Sequence, residues 1–348
     1  MMKKGGDRYG MHRVIEPKGV LPQPALRVNN SMDEIWDNEI LCSVKTLNID
    51  SASFTQIKGE AGGDPARIEK IILSIVERFG KHKNPVTGSG GMFIGTVEKI
   101  GDALKGHIDL KEGDRIASLV SLSLTPLRID KVRAVHTGTD QVDIDGKAIL
   151  FESALWARLP EDIDEKLALA VLDVAGAPAQ TAKLVRPGDT VLILGAGGKS
   201  GLLCGYEAKK LCGSGGKVLG VTVSDAEIGI MKQSGFFDTI IKHSAADAVG
   251  LYEKISDATG GRLCDLVMSN VNVPDCEMGA ILTCREGGTV YFFSMATSFT
   301  KATLGAEGVG KDVTMIMGNG YTKGHAAITL DILRESPFIR ELYGKRYC

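Results

Sequence analysis

No uncharged apolar run in this sequence approaches the roughly 20 residues that a bilayer core demands. The lysines near the N-terminus, in MMKKGGDRYGMHRV, are followed by no apolar stretch of signal-peptide type. Neither a membrane span nor a secretory leader is expected, and the predicted location is cytoplasmic. Charge of one sign is also lacking: 41 Lys and Arg against 43 Asp and Glu leave a formal net charge of −2, and no segment concentrates the basic residues. Nucleic acid and anionic membrane therefore find no basic field to meet, and small-molecule chemistry is favoured. The seven cysteines (Cys42, Cys204, Cys212, Cys264, Cys276, Cys284, Cys348) contain no CxxC pair and no short metal-type spacing, which predicts free, mostly buried thiols. The histidines (His12, His82, His107, His136, His243, His325) are equally scattered. No two have the i, i+4 spacing of a helical metal site, and most are expected at the surface. There is no internal repeat, low-complexity tract or linker.

Glycine, by contrast, is abundant, with 43 copies in 348 residues, which points to tight turns and close backbone approaches. The length suits two domains, each able to bury a core. In the first half, 39–50 (EILCSVKTLNID), 92–101 (MFIGTVEKIG) and 112–122 (EGDRIASLVSL) read as strands. Between them lies a helix, DPARIEKIILSIVERFG, with Asp64 as N-cap, Pro65 at its first position and Ile68, Ile71, Ile72, Ile75 and Val76 on one face. After Pro160 the rhythm changes. The run EKLALAVLDVAGAPAQTAKLV reads as helix, DTVLILGAGG as an apolar strand ending in glycines, and SGLLCGYEAKKLCG as helix again. Three further apolar strands, KVLGVTV, CDLVMSNV and GTVYFFSM, alternate with helical stretches, as in a parallel doubly wound sheet.

Within TVLILGAGGKSG, Gly195, Gly197 and Gly198 fall where strand becomes helix. Glycines there let the backbone turn sharply and approach a pyrophosphate at the helix N-terminus, with Lys199 and Ser200 as the first helical residues. The ending GKS also suggests a phosphate loop, but that motif needs a glycine at position 193, which is Ile193. Two departures from the dinucleotide fingerprint stand out. Its last glycine falls on Ser200, with Gly201 one place late, and the acidic ribose-binding position holds Thr222, with Asp225 three residues on. Thr222 and Ser224 are candidates for the ribose side, and the choice between NAD and NADP stays open because no Arg stands nearby for a 2′-phosphate. Asn270 and Asn272, and Ser294 with Met295, follow the next strands at the edge where such sheets bind ligands, the expected place of a nicotinamide ring. Turn chemistry is the other use of such Asn and Ser residues.

With these motifs placed, nearly the whole chain resembles the medium-chain dehydrogenases, through ILCSVKTLNIDSASF, GSGGMFIGTVEKIG, KEGDRIASL and the long entry ending in TVLILGAGG. Within that superfamily, PVTGSGGM, AGAPAQ, ILGAGGKSG, FFSMATSFTKA and GNGYTKGHA are similar to the L-erythro-3,5-diaminohexanoate dehydrogenases. The resemblance implies an α/β fold: a β-rich GroES-like catalytic domain over 1–172, a Rossmann doubly wound parallel sheet over 173–317, and a segment, 318–348, returning to the catalytic domain. It also implies a homodimer or homotetramer acting on a small diamino acid.

Zinc-dependent relatives carry a Cys after the first strand and a His-Glu pair after the glycine turn. Here those places hold Asp50, and Ser89 with Gly90, and no zinc is expected. An amine, unlike an alcohol, needs no Lewis acid to shed its hydride, and the resemblance implies oxidative deamination of the C3 amine of L-erythro-3,5-diaminohexanoate to 5-amino-3-oxohexanoate and ammonia in lysine fermentation. Asp50 is then the candidate base, its other use being to cap the turn NIDSAS. Asp173, an acid in an apolar helix, is the candidate partner of the second ammonium, or an ordinary hydrogen-bonded helix residue. Ser89 is a further candidate catalytic residue and Ser51 a substrate contact, and Lys323 and His325 are candidates for the substrate carboxylate, although a solvated loop also accounts for both. Two other readings compete. A zinc-free quinone or enoyl reductase would want an apolar pocket, which Asp50, Ser51, Ser53 and Ser89 oppose; a non-catalytic nucleotide-binding member would keep the fold alone.

Overall fold

The computed structural model describes residues 2–318 and 321–347. It divides into two compact units, one from the N-terminus to Asp173 together with Tyr347, the other from Val174 to Arg346.

The first unit opens with a short antiparallel pair, β1 (Val14–Glu16) and β2 (Arg27–Val28). Its body is a six-stranded antiparallel sheet of β3 (Glu39–Ile49), β4 (Gly91–Ile100), β5 (Arg115–Ser118), β6 (Leu127–His136), β7 (Gln141–Phe151) and β8 (Trp156–Arg158), in the order β6-β7-β3-β4-β5-β8. The 112–122 run yields only the four residues of β5. The hairpin β6–β7, absent from the strands expected of the sequence, supplies the long neighbour of β3. Two helices, α1 (Ser51–Glu60) and α2 (Pro65–Phe79), interrupt the sheet between β3 and β4. In α2 the Asp64 carboxylate accepts the Ala66 N–H at 3.0 Å, Pro65 takes the first helical place and Gly80, at φ +70°, ends it. Its apolar stripe, Ile68, Ile72, Ile75 and Val76, is buried in one core with Leu47, Phe54 and Phe93. A third helix, α3 (Glu165–Leu172), closes the unit.

The expected continuous helix beyond Leu172 is broken: α4 (Gly176–Leu184) starts anew in the second unit. The break puts Pro178 in the first turn of α4, where its missing N–H costs no hydrogen bond. There follow β9 (Thr190–Leu194), α5 (Lys199–Cys212), β10 (Lys217–Thr222), α6 (Asp225–Ser234), β11 (Thr239–Lys242), α7 (Ala248–Thr259), β12 (Cys264–Ser269), α8 (Glu277–Thr283), β13 (Cys284–Phe292), α9 (Phe299–Gly308) and β14 (Thr314–Met317). All six strands are parallel, in the order β11-β10-β9-β12-β13-β14, which is the Rossmann arrangement. Strands β11 and β14 are short and lie at the edges, so they carry a weak apolar signal and do not stand out in the sequence.

The expected return of 318–348 to the first unit is corrected here. Helices α10 (His325–Glu335) and α11 (Pro337–Tyr347) belong to the second unit except for Tyr347. Leu330 and Leu333 are buried, the Thr329 hydroxyl donates to the Ala175 carbonyl at 3.4 Å, and Phe338 packs edge-on against Phe236 at 5.8 Å. An apolar face of this kind ties the segment to α4, α5 and the ring of Phe236.

Six cysteines are free and buried, and Cys348 lies outside the described residues. Of the six histidines His107 is exposed, His12, His136 and His243 are half-buried, and His82 and His325 are buried, against the surface placement expected of most. No described helix is long and apolar enough to cross a membrane.

Candidate active site and dinucleotide cradle

In the first unit, β3 ends at Ile49 and delivers Asp50 to the N-cap of α1. Its side chain makes no capping hydrogen bond there, so capping does not account for it. Instead the Ser89 hydroxyl and the Gly90 N–H offer hydrogen bonds to its carboxylate. The glycine turn makes this approach possible. A Cβ on Gly91, at φ +108°, would stand 2.0 Å from the Asn48 carbonyl oxygen, and one on Gly90 would stand 2.4 Å from the Ser123 nitrogen.

Asp173, the C-cap of α3, joins this group through the buried Asn48, whose amide donates to its carboxylate at 3.2 Å. Burial pushes the Asp50 carboxyl above the ordinary range, the bonds from Ser89 and Gly90 oppose the shift, and the charge of Asp173 adds to it. Asp50, Ser89 and Asp173, predicted separately, are thus brought together. Ser51 is not: its hydroxyl donates to Asp140 at 2.9 Å on the exposed side of α1. Asn48, Thr87 and Asn84 are members of the site that sequence reasoning missed. The Asn84 side-chain oxygen accepts the Val86 and Thr87 N–H groups, and its amide donates to Gln56 at 2.8 Å, which pins the turn before Ser89. An Asn followed by Pro85 is the turn signal that would have marked it.

In the second unit, Gly195 turns at φ +74° after β9 and Gly198 is the N-cap of α5. The place of the third fingerprint glycine, assigned to Ser200 from spacing, is filled in space by Gly201. A Cβ there would lie 2.2 Å from the Gly195 carbonyl oxygen and 2.7 Å from the Ala196 Cα, so only glycine lets α5 pack on the turn. A recess of about 310 Å³ opens beside this turn, lined by Gly195, Gly198, Thr222, Glu227, His243, Asn270 and Asn272 among others. Both polar atoms of the Asn270 side chain are shielded from solvent and have no hydrogen-bond partner. A polar ligand in the recess would satisfy them. The cradle and the unpaired amide together fit a dinucleotide.

Glu227 was not anticipated. Ser224 caps α6 by accepting the Glu227 N–H at 3.4 Å, yet the Glu227 carboxylate reaches back past its cap to accept from the Thr222 hydroxyl. The S-x-x-E spacing was the available sign. An acid therefore does stand at the end of β10, supplied by the following helix. Of the remaining candidates, Lys199 begins α5 and gives its carbonyl to the Tyr343 hydroxyl, and Ser200 is half-buried in the first turn. Ser294 donates to Asn272 at 3.3 Å, while Met295 is 90% exposed. Lys323 is exposed before α10; His325 is buried at its first position, its ring edge-on to Tyr321, and burial pulls its pKa below the ordinary value.

Comparison with known proteins bears on both units. A family profile described as the L-erythro-3,5-diaminohexanoate dehydrogenase N-terminal domain matches residues 12–160. The L-erythro-3,5-diaminohexanoate dehydrogenase of Acetoanaerobium sticklandii is 60% identical over 98% of this chain and 99% of its own length, and that of Fusobacterium nucleatum is 57% identical over 99% and 100%. The chain belongs to the L-erythro-3,5-diaminohexanoate dehydrogenase family.

Among solved structures, a mycobacterial protein in complex with NADPH aligns at a TM-score of 0.58 and 16% identity, covering 92% of each chain. A quinone oxidoreductase of Pseudomonas syringae aligns at 0.52 and 18%, covering 92% of this chain and 84% of its own. At such identities the likeness speaks for the fold alone, an antiparallel sheet domain with a Rossmann sheet. The diaminohexanoate dehydrogenase profile spans Asp50, Ser53, Thr87 and Ser89, so these positions lie in the part of the chain that the family shares. Among the described residues of this family member, no group of three or more His, Cys, Asp or Glu side chains is placed to hold a metal ion.

Proposed function

We propose that this chain catalyses the NAD(P)-dependent oxidative deamination of L-erythro-3,5-diaminohexanoate to 5-amino-3-oxohexanoate and ammonia, a step of lysine fermentation. The observation that carries the reading is the gathering of two carboxylates, Asp50 and Asp173, into one group with Asn48, Ser89 and Gly90. A substrate with two ammonium groups is what such a pair attracts. A quinone or an enone offers neither carboxylate a partner.

A nicotinamide dinucleotide, when bound, would supply the hydride acceptor. The amide groups at the start of α5, with the turn Gly195–Gly198, suit its pyrophosphate. Thr222 and Glu227 suit a ribose: a carboxylate at the end of β10 accepts from ribose hydroxyls and repels a 2′-phosphate, which supports NAD over NADP. Asp50 takes a proton from the C3 ammonium, freeing the nitrogen lone pair that drives hydride departure. Once Asp50 has released that proton, water adds to the substrate iminium, Asp50 takes the water's proton and returns it to the nitrogen, and loss of ammonia leaves the 3-oxo product. Asp173 holds an ammonium of the substrate. The enzyme works as a cytoplasmic homodimer or homotetramer, which its sedimentation tests.

The deciding experiment follows absorbance of the reduced nicotinamide while the diamino acid is mixed with NAD or NADP, using wild type and Asp50→Asn. The wild type reduces the cofactor and Asp50→Asn lowers kcat by about 10²–10⁴-fold. Absence of reduction by the wild type with either cofactor refutes the reading.

A further inference from the structure

Three hydroxyls meet beside Asp50. Ser53 Oγ lies 2.6 Å from Thr87 Oγ1 and 2.6 Å from Ser89 Oγ, and Thr87 Oγ1 lies 3.1 Å from Ser89 Oγ. Each hydroxyl carries one proton and two lone pairs, so three within mutual hydrogen-bond distance can pass a proton by reorienting. They are graded in exposure: Ser53 is fully buried on α1, Ser89 is half-buried next to Asp50, and Thr87 is exposed. The group therefore links a half-buried carboxylate, Asp50, through Ser89 to an exposed hydroxyl at Thr87. Its geometry is held from behind. The Asn84 side chain accepts the Thr87 N–H at 3.2 Å, and the Ser89 N–H points to the Thr87 hydroxyl at 3.4 Å.

We infer that Ser89, Ser53 and Thr87 form a proton relay that carries the proton taken up by Asp50 out to solvent. The inference rests on the reading of Asp50 as the base of an amine dehydrogenase. That reaction brings a substrate in as an ammonium and must dispose of its proton before the nitrogen lone pair can expel hydride. In the relay step the O–H bond of protonated Asp50 breaks as Ser89 Oγ gains the proton. Ser89 in turn gives up its own proton, directly to Thr87 or through Ser53, and Thr87 gives one to water. One proton enters from the substrate nitrogen and one leaves at Thr87; no electrons move. A pin holding the glycine turn to α1 would need the same contacts but no path to water, and the exposed end at Thr87 is what distinguishes a relay.

Thr87 is the member that both routes share, so it is the position to change. In dilute, poorly buffering solution, Thr87→Val lowers kcat for the diamino acid by about tenfold. The loss is reversed by adding imidazole as a diffusible proton carrier, and the solvent deuterium isotope effect on kcat rises. Thr87→Ser, which keeps the hydroxyl, stays within about twofold of wild type. An unchanged kcat in Thr87→Val overturns the relay. So does a loss that imidazole and Thr87→Ser both fail to restore, since that outcome assigns Thr87 to the pin. Failure of the underlying reading is seen separately, in a wild type that does not oxidise the diamino acid at all, and the relay falls with it.

Discussion

The cradle of the second unit is made of backbone from one strand, one turn and the first coils of one helix, whereas the acidic group of the first unit is made of side chains from four separate stretches. Gly195, Gly198 and Gly201 act through what they lack, a Cβ: Gly198 and Gly201 lie against the turn itself, and Gly195 against the backbone of Asn270. Asn48 and Asp50 come from the end of β3, Ser53 from α1, Ser89 from the turn before β4, and Asp173 from the end of α3. A local device of the first kind tolerates little change at the backbone and much at the side chains. A dispersed device of the second kind depends on the electrostatics of its members and on whatever packing holds the stretches together.

That contrast can be tested first through His82, which stands fully buried behind the glycine turn of the first unit. Burial lowers its pKa to about 4 from an ordinary 6.5. Between those values the unfolded chain binds a proton that the folded chain does not, so stability falls as pH drops through this window, by about 3 kcal/mol in full. Both tryptophans, Trp36 and Trp156, lie in the first unit, so urea unfolding followed by their fluorescence reports it alone. His82→Gln flattens the acid dependence of that transition. A wild-type transition with no such dependence would count against the buried neutral imidazole.

The second unit is probed by Gly201→Ala. The added Cβ meets backbone at 2.2 and 2.7 Å, and overpacking of that kind costs about 1–3 kcal/mol. Differential scanning calorimetry and titration of reduced cofactor fluorescence should show a lower Tm and at least roughly tenfold weaker binding. Full affinity in Gly201→Ala would show that the turn has room the distances deny. A side-chain change in the same unit is gentler. Glu227→Gln is expected to narrow the preference for NADH over NADPH by about tenfold, and an unchanged ratio of dissociation constants would remove Glu227 from the ribose site.

The smallest effect concerns the acidic pair. A base must be ionised to work, so kcat/KM falls as pH drops through the raised pKa of Asp50. Asp173→Asn removes a neighbouring negative charge and shifts that acid limb to lower pH. A limb that stays in place would mean that burial alone sets Asp50.

Much of the second unit is legible in the chain itself, because a buried parallel strand such as TVLIL is a continuous apolar run and a glycine turn is a local motif. The edge strands β11 and β14 are not, being only four residues each. Nor is the break at Asp173, since EKLALAVLDVAGAPAQTAKLV keeps a helical composition throughout. Ser200 looks like the packing position because the fingerprint counts residues, whereas steric contact depends on which face of α5 turns to the strand. That face carries Gly201. Asp50 and Asp173 are legible singly, by their places in a family pattern. Their joint effect, with Asn48 as the link, is not.

What the sequence alone determined was the set of elements with strong local signatures: the helix capped by Asp64 and Pro65, the central Rossmann strands, the glycine turn and the two-domain α/β class. Periodicity, propensity and backbone sterics act over a few residues, so they are written in the order of the amino acids. Only the tertiary structure decided the attachment of the C-terminal helices, the return of Glu227 to Thr222, and the assembly of Asp50, Ser89, Ser53, Thr87 and Asp173. Those arrangements follow from long-range packing, in which charge, burial and hydrogen bonding are set by residues far away in sequence.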